Sequence, residues 1–271
     1  MGTLYLVATP IGNLEDISAR ALRVLREARL IAAEDTRQTR KLLEHYGIPT
    51  PATSYHEHNK LTKLDRILEA LREGDVALVS DAGTPGLSDP GFELIQAALQ
   101  AGIRVVPLPG PSAVIAALVA SGLPTDSFTY LGFLPRKSKA RREVLAGVRE
   151  APQTLVAYEA PHRLVEALED VKAVLGDRPV AVARELTKLH EEIWRGPVEG
   201  ALAHYAENPP RGEITLVIGG AATVAPREWA EDDVRAALAE RLAAGEPRSA
   251  AAKAVARESG WTKSEVYDLD V

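Results

Sequence analysis

The chain contains no cysteine, and this absence excludes disulfide bonds and thiolate metal sites. A reducing compartment is consistent with it, so we expect a cytoplasmic protein. No apolar run reaches the roughly 18 residues that predict a membrane span. A strand-like pattern begins at Thr3 and leaves no room for a secretory signal. We therefore expect no membrane association.

Two common nucleotide-binding motifs are missing. The chain has no G-x-x-x-x-G-K-S/T, which disfavours a P-loop hydrolase. No G-x-G-x-x-G follows the first predicted strand, which disfavours an ordinary dinucleotide-binding fold. His56-Glu57-His58 lacks the H-E-x-x-H spacing, and neighbouring residues of an extended loop point in opposite directions. We expect no metal site there.

The composition is that of an ordinary globular protein, with 46% hydrophobic and 26% charged residues. A length of 271 residues fits one large or two modest domains. The net charge of −6 argues against a protein that coats nucleic acid through its overall charge. It leaves open a local basic patch.

Strand and helix patterns alternate along most of the chain, which predicts an α/β protein with a parallel sheet covered on both faces. Further α/β units follow beyond Gly122, and from Arg227 onward the pattern is purely helical. We predict two α/β domains and a small C-terminal helical appendage. Their predicted ranges are 1–111, 112–222 and 227–271.

Four loops rich in glycine and proline each follow a predicted strand. A single loop of this kind is a simple turn, but together they favour a shared pocket. Since the carboxyl ends of parallel strands lie at one edge of a sheet, we expect all four at the same edge. The loops are Thr9–Asn13, Ser80–Gly91, Leu108–Ala113 and Glu159–Arg163.

Several runs of residues resemble the tetrapyrrole methylase superfamily and, within it, the group that methylates ribosomal RNA of the small subunit. The resemblance covers about Thr3–Gly220. In the first half the matching runs are Val7–Asn13, Ala33–Arg37, Ser80–Gly91 and Pro109–Ala113. In the second half they are Tyr158–Arg163, Ala183–Lys188 and Gly212–Leu216.

This resemblance implies two α/β domains with S-adenosylmethionine in the cleft between them, and a homodimer. It implies methylation of the 2′-hydroxyl of a cytidine in the decoding region of small-subunit ribosomal RNA. The partner would be that RNA or the 30S subunit. Carried over position by position, the cofactor-binding residues are Pro10, Asp81, Ala82, Leu87, Ser112, Ala113, Glu159, Leu186 and Thr215.

Methyl transfer to a ribose hydroxyl benefits from a nearby base, because the hydroxyl is a weak acid. The candidate catalytic residues are Asp81, Glu34, Asp35 and His56. Each has a structural alternative, such as a loop hydrogen bond. Asp35 in particular is placed to cap the helix that follows it.

A basic run follows the strand pattern that ends near Leu134, within an otherwise acidic protein. Either it is a solvated helix face or it binds RNA phosphates, in which case binding is salt-sensitive. Arg37, His58 and Lys60 extend the predicted RNA surface. The residues of the run are Arg136, Lys137, Lys139, Arg141 and Arg142.

Two other functions stay open at this point. One keeps the cofactor and replaces the RNA by a small-molecule tetrapyrrole, although such an acceptor needs neither a basic run nor a helical tail. The other is a catalytically silent protein that binds RNA or an assembling ribosomal subunit. Labelled methyl transfer to purified subunits distinguishes all three.

Overall fold

The computed structural model describes residues 1–56, 60–221 and 229–271, and for residues 60–62 it describes the backbone alone. Residues 1–221 and 222–271 form two compact units, which are described separately. No helix in the described ranges is both long and apolar enough to cross a membrane. Residues 57–59, and with them the predicted RNA contact His58, lie outside the described residues, as does the predicted boundary at 222–227.

The first sheet is fully parallel, as the alternation of strands and helices predicts. Its strands lie in the order third, second, fourth, first and fifth along the sheet. In chain order they are β1 (Thr3–Val7), β2 (Leu30–Ala33), β3 (Ala52–Ser54), β4 (Val76–Val79) and β5 (Arg104–Leu108).

Helices cover both faces of this sheet. The first two pack on one face through residues such as Leu25 and Leu42, and the next two pack on the other through Ile67 and Leu94. Ser18 begins the first helix by accepting a hydrogen bond from the backbone of Ala21 at 3.1 Å. The helices are α1 (Ala19–Glu27), α2 (Thr36–His45), α3 (Lys60–Glu73) and α4 (Phe92–Gln100).

The second sheet is mixed. Its first two strands are parallel, but its last strand in the chain lies between the second and third and runs antiparallel to both. In chain order the strands are β6 (Phe128–Phe133), β7 (Thr154–Glu159), β8 (Pro179–Arg184), β9 (Glu192–Pro197) and β10 (Ile214–Ile218). The loop Glu159–Arg163 follows β7, so the expectation that it lies at the edge of the same sheet as the other three loops is wrong.

Two hydrophobic clusters sandwich the second sheet. Helices α6 (Ser138–Gly147), α7 (Leu164–Leu175) and α8 (Val198–Glu207) cover one face. Helix α5 (Ala113–Ala120) covers the other, together with Ile11 from the loop after β1. Within the unit of residues 1–221, the first sheet with its helices is called the first domain and the second sheet with its helices the second domain. The first thus contributes the Ile11 side chain to the core of the second.

The C-terminal unit is helical, as predicted. Its helices α9 (Glu231–Ala243), α10 (Arg248–Ser259) and α11 (Lys263–Tyr267) enclose a small apolar core that includes Val255. Trp261 packs against that core, so its ring serves this unit's packing.

Candidate functional site

Three of the predicted loops meet at the carboxyl edge of the first sheet. Thr9 and Gly83 exchange two backbone hydrogen bonds, at 2.9 and 3.0 Å, which join the loop after β1 to the loop after β4. The hydroxyl of Thr84 donates to the carbonyl of Pro111 at 3.3 Å, which adds the loop after β5. These loops form one connected surface, as expected for strands that end at a common edge.

Glycine is required at two positions of this surface. Gly83 has a φ of +78°, a conformation that side chains disfavour. Gly110 lies against the first loop so closely that an added Cβ would be 2.9 Å from the Cβ of Ala8. The close packing of these loops therefore depends on the absence of side chains.

The second domain meets this surface through the loop after β8, not through the loop after β7. The backbone N–H of Asn13 donates to the Thr187 hydroxyl at 3.1 Å. A Cβ on Gly12 would lie 2.4 Å from Cγ of Lys188, so the two loops are in tight contact. Sequence reasoning assigned a role to Leu186 here but did not identify the contact made by its neighbours.

Strained backbone marks the loop after β8. Glu185 and Thr187 have φ of +50° and +63°, which is unusual, above all for a β-branched residue. The carboxylate of Glu191 holds Thr187 by accepting its backbone N–H at 2.6 Å. The ammonium of Lys188 lies 2.9 Å from Glu185. Such strain persists only where surrounding contacts maintain it, and it is found most often at functional sites.

A small, largely buried pocket lies between Ile11 of the first domain and the face of β8 and β10 that α5 covers. It brings together three predicted cofactor-binding residues from distant parts of the chain. Its walls are apolar with a few polar groups, as in many ligand sites, but its volume of about 20 Å³ is that of a single water molecule. The contact of these residues with a cofactor therefore stays a prediction. The lining residues are Ile11, Ala113, Ala183, Leu186, Glu213 and Thr215.

The other predicted cofactor residues occupy different positions. Pro10 lies in the loop that carries Ile11, and Ser112 precedes α5 without a side-chain capping bond. Asp81 and Ala82 are exposed, as is Leu87. These residues lie on the connected loop surface or at its border, and their contact with the cofactor stays a prediction.

Glu159 differs from the rest because its side chain lies on the opposite face of the second sheet. It has the same parity along β7 as Leu155 and Ala157, which pack against α7. Its carboxylate pairs with Arg163 and accepts the backbone N–H of Ala160 at 2.7 Å. A contact of Glu159 with a cofactor on the α5 side of the sheet would therefore have to be made by its backbone, and that contact stays a prediction.

Carboxylates from two strands cluster at the edge of the first sheet. The backbone N–H of Asp35 donates to Asp81 Oδ1 at 3.0 Å, and the N–H of Asp81 donates to Glu34 Oε2 at 3.2 Å. Partial burial raises the pKa of both Glu34 and Asp81; the charge of Asp81 adds to the effect on Glu34, and the charge of Asp35 adds to the effect on Asp81. His56 is half-buried, and its charge interacts with Glu34. Three of the four candidate catalytic residues, with His56 nearby, thus lie together.

Asp35 is a helix cap in this arrangement. Its carboxylate accepts the backbone N–H of Arg37 at 2.8 Å and binds that residue's guanidinium at 2.6 Å. The bonds from Arg37 lower the pKa of Asp35 to about 2. A carboxylate so strongly stabilised in its charged form is a poor proton acceptor, so the structural alternative for Asp35 is the better one.

Asp89 is a fifth member of this environment that sequence reasoning did not select. Burial, followed by the charge of Glu34, raises its pKa to about 6, although the Ser80 hydroxyl donates a hydrogen bond to it. The available signal was a second aspartate at the far end of the Ser80–Gly91 loop. Its environment depends on Glu34 from another strand, which the local sequence does not reveal.

Two tyrosines of the second domain face the acidic cluster. The hydroxyls of Ser88 and Tyr130 are hydrogen-bonded at 2.7 Å, which links the long loop to β6. The ring centroids of Tyr130 and Tyr158 are 5.5 Å apart in an edge arrangement. Burial raises the pKa of both tyrosines, and the charge of Asp89 contributes. Both hydroxyls therefore stay protonated at neutral pH and act as hydrogen-bond donors.

The basic run divides into exposed and buried members. Arg136, Lys137 and Lys139 are exposed at the start of α6. Arg141 is 1% exposed, and its Nε lies 2.6 Å from Asp170 of α7. The prediction that Arg141 binds RNA is wrong, because its guanidinium is buried and binds Asp170, which joins α6 to α7.

Two of the remaining predicted RNA contacts already form ion pairs within the protein. Arg142 is 54% exposed but also binds Asp170, at 2.5 Å. Arg37 is 87% exposed and pairs with Asp35. The side chain of Lys60 lies outside the described residues, as His58 does. Across the described ranges, no cluster of His, Cys, Asp or Glu is arranged to hold a metal ion.

Comparison with known proteins agrees with this architecture. Residues 3–202 match the family Tetrapyrrole (Corrin/Porphyrin) Methylases. A protein of Synechocystis sp. named ribosomal RNA small subunit methyltransferase I is 48% identical over 100% of this chain and 98% of its own length. One of the same name from Escherichia coli O157:H7 is 53% identical over 81% of this chain and 78% of its own.

Solved structures show the same fold at low sequence identity. Diphthine synthase matches with a TM-score of 0.64 and 16% identity, covering 81% of this chain and 90% of the other. Uroporphyrin-III-C-methyltransferase from Thermus thermophilus matches with a TM-score of 0.54 and 24% identity, covering 81% and 94%. This chain therefore belongs to the tetrapyrrole methylase family and, within it, to the ribosomal RNA small subunit methyltransferase I group of S-adenosylmethionine-dependent methyltransferases.

Proposed function

We propose that this methyltransferase modifies the 2′-hydroxyl of a cytidine in small-subunit ribosomal RNA. The observation that supports this most is the 48% identity over the whole chain, C-terminal unit included, to a relative named for that RNA. The choice of a ribose oxygen, of cytidine and of the decoding region comes from the family resemblance. A cytoplasmic location, where the small subunit is assembled, belongs to the same proposal.

The cofactor is held, in this proposal, between the pocket and the connected loops. Ile11 and Leu186 would supply apolar contacts to the cofactor, and Thr215 would supply a polar atom. When bound, S-adenosylmethionine supplies an electrophilic methyl group on a positively charged sulfur. The rigid loops position the acceptor oxygen and keep water away, and both contributions lower the barrier without chemical participation.

Asp89 is our proposed proton acceptor. Methylation of the ribose oxygen releases the proton of the hydroxyl, and the Asp89 carboxylate would take up that proton. A pKa of about 6 leaves this group mostly ionised at neutral pH, yet more basic than an ordinary aspartate. Asp81 and Glu34 raise that basicity through their charges, and the protonated tyrosines opposite orient the acceptor by donating hydrogen bonds.

RNA reaches this centre, we propose, along the exposed basic residues at the start of α6. Arg136, Lys137 and Lys139 follow β6 within six residues of Phe133, the last residue of that strand. Phosphate neutralisation by these side chains makes binding salt-dependent. The acidic cluster itself repels phosphates, so the backbone of the RNA passes beside the cluster and only the acceptor ribose enters it.

Transfer of a radioactive methyl group to purified 30S subunits tests the proposal. We expect label in the RNA, mapped by nuclease digestion to a 2′-O-methylated cytidine. Label in a tetrapyrrole acceptor instead of RNA would support the small-molecule alternative. Cofactor binding without transfer to either would support a silent RNA-binding protein.

We also propose that the chain forms a homodimer. Helix α5 exposes Ile115 and Val119, four residues apart, with 47% and 67% of each residue accessible. Adjacent apolar side chains on one helix face favour burial against a second copy. Light scattering on the purified protein gives the mass directly.

A further inference from the structure

An exposed aromatic ring lies at the end of β6, beside the two tyrosines and the long loop after β4. Phe133 ends β6 with 59% of its surface accessible, although phenylalanine is an apolar residue. Its ring centroid lies 5.2 Å from that of Tyr158, in a tilted arrangement. The ring is thus supported by Tyr158, and more than half of the residue's surface stays accessible to solvent.

The surrounding backbone fixes Phe133 beside the candidate active centre. Gly132, with a φ of +67°, lies next to the long loop, and an added Cβ would be 3.5 Å from the hydroxyl oxygen of Ser88. On the other side, Leu134 is buried and donates its N–H to the carbonyl of Tyr158 at 3.2 Å. The ring is therefore held between two anchored neighbours.

Positive charge follows the ring directly. Arg136 and Lys137 are exposed three and four residues further on, after the turn at Pro135. An exposed ring beside cationic side chains is the combination that proteins use for single-stranded nucleic acid, with bases stacked on the ring and phosphates at the cations. RNA recognition depends on such stacking because unpaired bases offer their flat faces. The charge favours RNA over an apolar protein segment.

We propose that Phe133 is a positioning residue that stacks on the base of the acceptor nucleotide or its immediate neighbour. This inference rests on the proposed function. Stacking on Phe133 holds the unpaired nucleotide at the cleft mouth, so that its ribose extends toward Asp89. A ring supported by Tyr158 loses little freedom on binding, which favours this use of the side chain.

The experiment compares variants at the two ends of one strand. Phe133→Ala removes the ring, Phe133→Leu keeps the apolar bulk without a flat face, and Phe133→Trp keeps a ring. Phe128→Ala is the matched control, because Phe128 is 39% exposed at the opposite end of β6. The measurements are KM and kcat with 30S subunits and with protein-free 16S ribosomal RNA, cofactor Kd by calorimetry, and the unfolding temperature.

Loss of one stacked base costs about 1–3 kcal/mol, so KM for RNA should rise roughly 5- to 150-fold in Phe133→Ala and Phe133→Leu. We expect cofactor Kd and unfolding temperature to stay near wild type, and Phe133→Trp and Phe128→Ala to retain the wild-type KM. RNA should also quench the added tryptophan of Phe133→Trp, beyond any quenching of the wild-type tryptophans.

Several results would overturn the inference. An unchanged KM in Phe133→Ala, with an active wild type, leaves the proposed function intact and removes the stacking role. A wild-type KM in Phe133→Leu would mean that the side chain contributes apolar packing and does not stack on a base. A defect confined to 30S subunits and absent with free RNA means that the ring binds a ribosomal protein. A wild type that methylates no RNA at all refutes the proposed function itself, and this inference with it.

Discussion

Replacement of Arg141 by alanine separates a structural arginine from the exposed cations beside it. The side chains of Arg141 and Asp170 are 1% and 3% exposed, and they join α6 to α7 through a 2.6 Å contact. Arg141 also donates to the carbonyls of Glu166 and Pro135, at 3.3 and 3.4 Å. The variant leaves the Asp170 charge buried with fewer partners.

The expected loss of stability follows from what Asp170 retains. Removing one partner of a buried pair costs about 3–5 kcal/mol. Asp170 keeps the Ser138 hydroxyl at 2.9 Å and Arg142 at 2.5 Å, so we expect a value of about 3 kcal/mol at the lower end of that range. For a protein of this size, that loss lowers the unfolding temperature by roughly 6–12 °C.

The pH dependence gives a second signature. Burial opposes ionisation of Asp170, but hydrogen bonds from Arg142, Ser138 and Arg141 outweigh it and lower its pKa. A carboxyl with a lowered folded-state pKa stabilises the protein above its unfolded pKa, and this contribution is lost as pH falls through the folded value. Arg141→Ala should therefore lose more stability at pH 7 than at acid pH.

Thermal unfolding followed by circular dichroism measures both effects, with Lys139→Ala as the control. Lys139 is exposed, so its loss should leave the unfolding temperature unchanged and weaken RNA binding. An Arg141→Ala protein that unfolds at the wild-type temperature yet binds RNA poorly would refute the structural assignment and restore Arg141 as an RNA contact.

Three further predictions concern the cleft and the basic surface. Asp89→Asn should lower kcat by roughly 10²–10⁴-fold and abolish the rise of kcat through pH about 6, whereas exposed Asp126→Asn should not. Gly12→Ala places a Cβ 2.4 Å from Cγ of Lys188, and this overpacking costs about 1–3 kcal/mol and pushes the two loops apart. We therefore expect cofactor affinity to fall by about tenfold. Gly147→Ala is the control, because its Cβ would meet no atom within 4 Å, and it should leave cofactor affinity unchanged. Combined alanine replacement of the exposed cations should weaken RNA binding and its salt dependence while leaving cofactor Kd unchanged. These cations are Arg136, Lys137 and Lys139.

Each of these predictions has a result that contradicts it. An Asp89→Asn enzyme with an unaltered pH profile places the proton acceptor elsewhere, with Asp81 the next to test. That variant should also unfold at a higher temperature at neutral pH, because the raised pKa shows that the charged form of Asp89 destabilises the fold. Normal cofactor binding by Gly12→Ala would mean that the two loops can part freely. If the combined variant bound RNA with an unchanged salt dependence, the RNA surface would lie elsewhere than at the start of α6.

The sequence predicted the first domain well because its signals are local. Apolar runs, helix-capping residues and glycine-rich turns alternate with the period of a parallel sheet, and Asp35 and Gly83 perform the roles that their types favour. The convergence of three loops follows from that topology alone.

The second domain was less predictable because its order depends on a distant strand. β10 inserts between β7 and β8 and runs antiparallel to both, which an alternation of strands and helices does not reveal. Arg141 is buried by Asp170, a residue 29 positions away. Its neighbours in the basic run stay exposed, so no periodicity within the run distinguishes it. The raised pKa of Asp89 likewise arises from its burial and then from the charge of Glu34, which follows a different strand.

Ile11 has a consequence for how the molecule can be divided. Ile11 lies in the loop after β1 of the first sheet, but it is only 9% exposed because the apolar cluster on one face of the second sheet encloses it. Cleavage of the chain at the predicted boundary after residue 111 would expose the Ile11 side chain to water in one fragment and leave a cavity in the other. The two sheets of residues 1–221 thus share part of one apolar core, in keeping with their forming one compact unit.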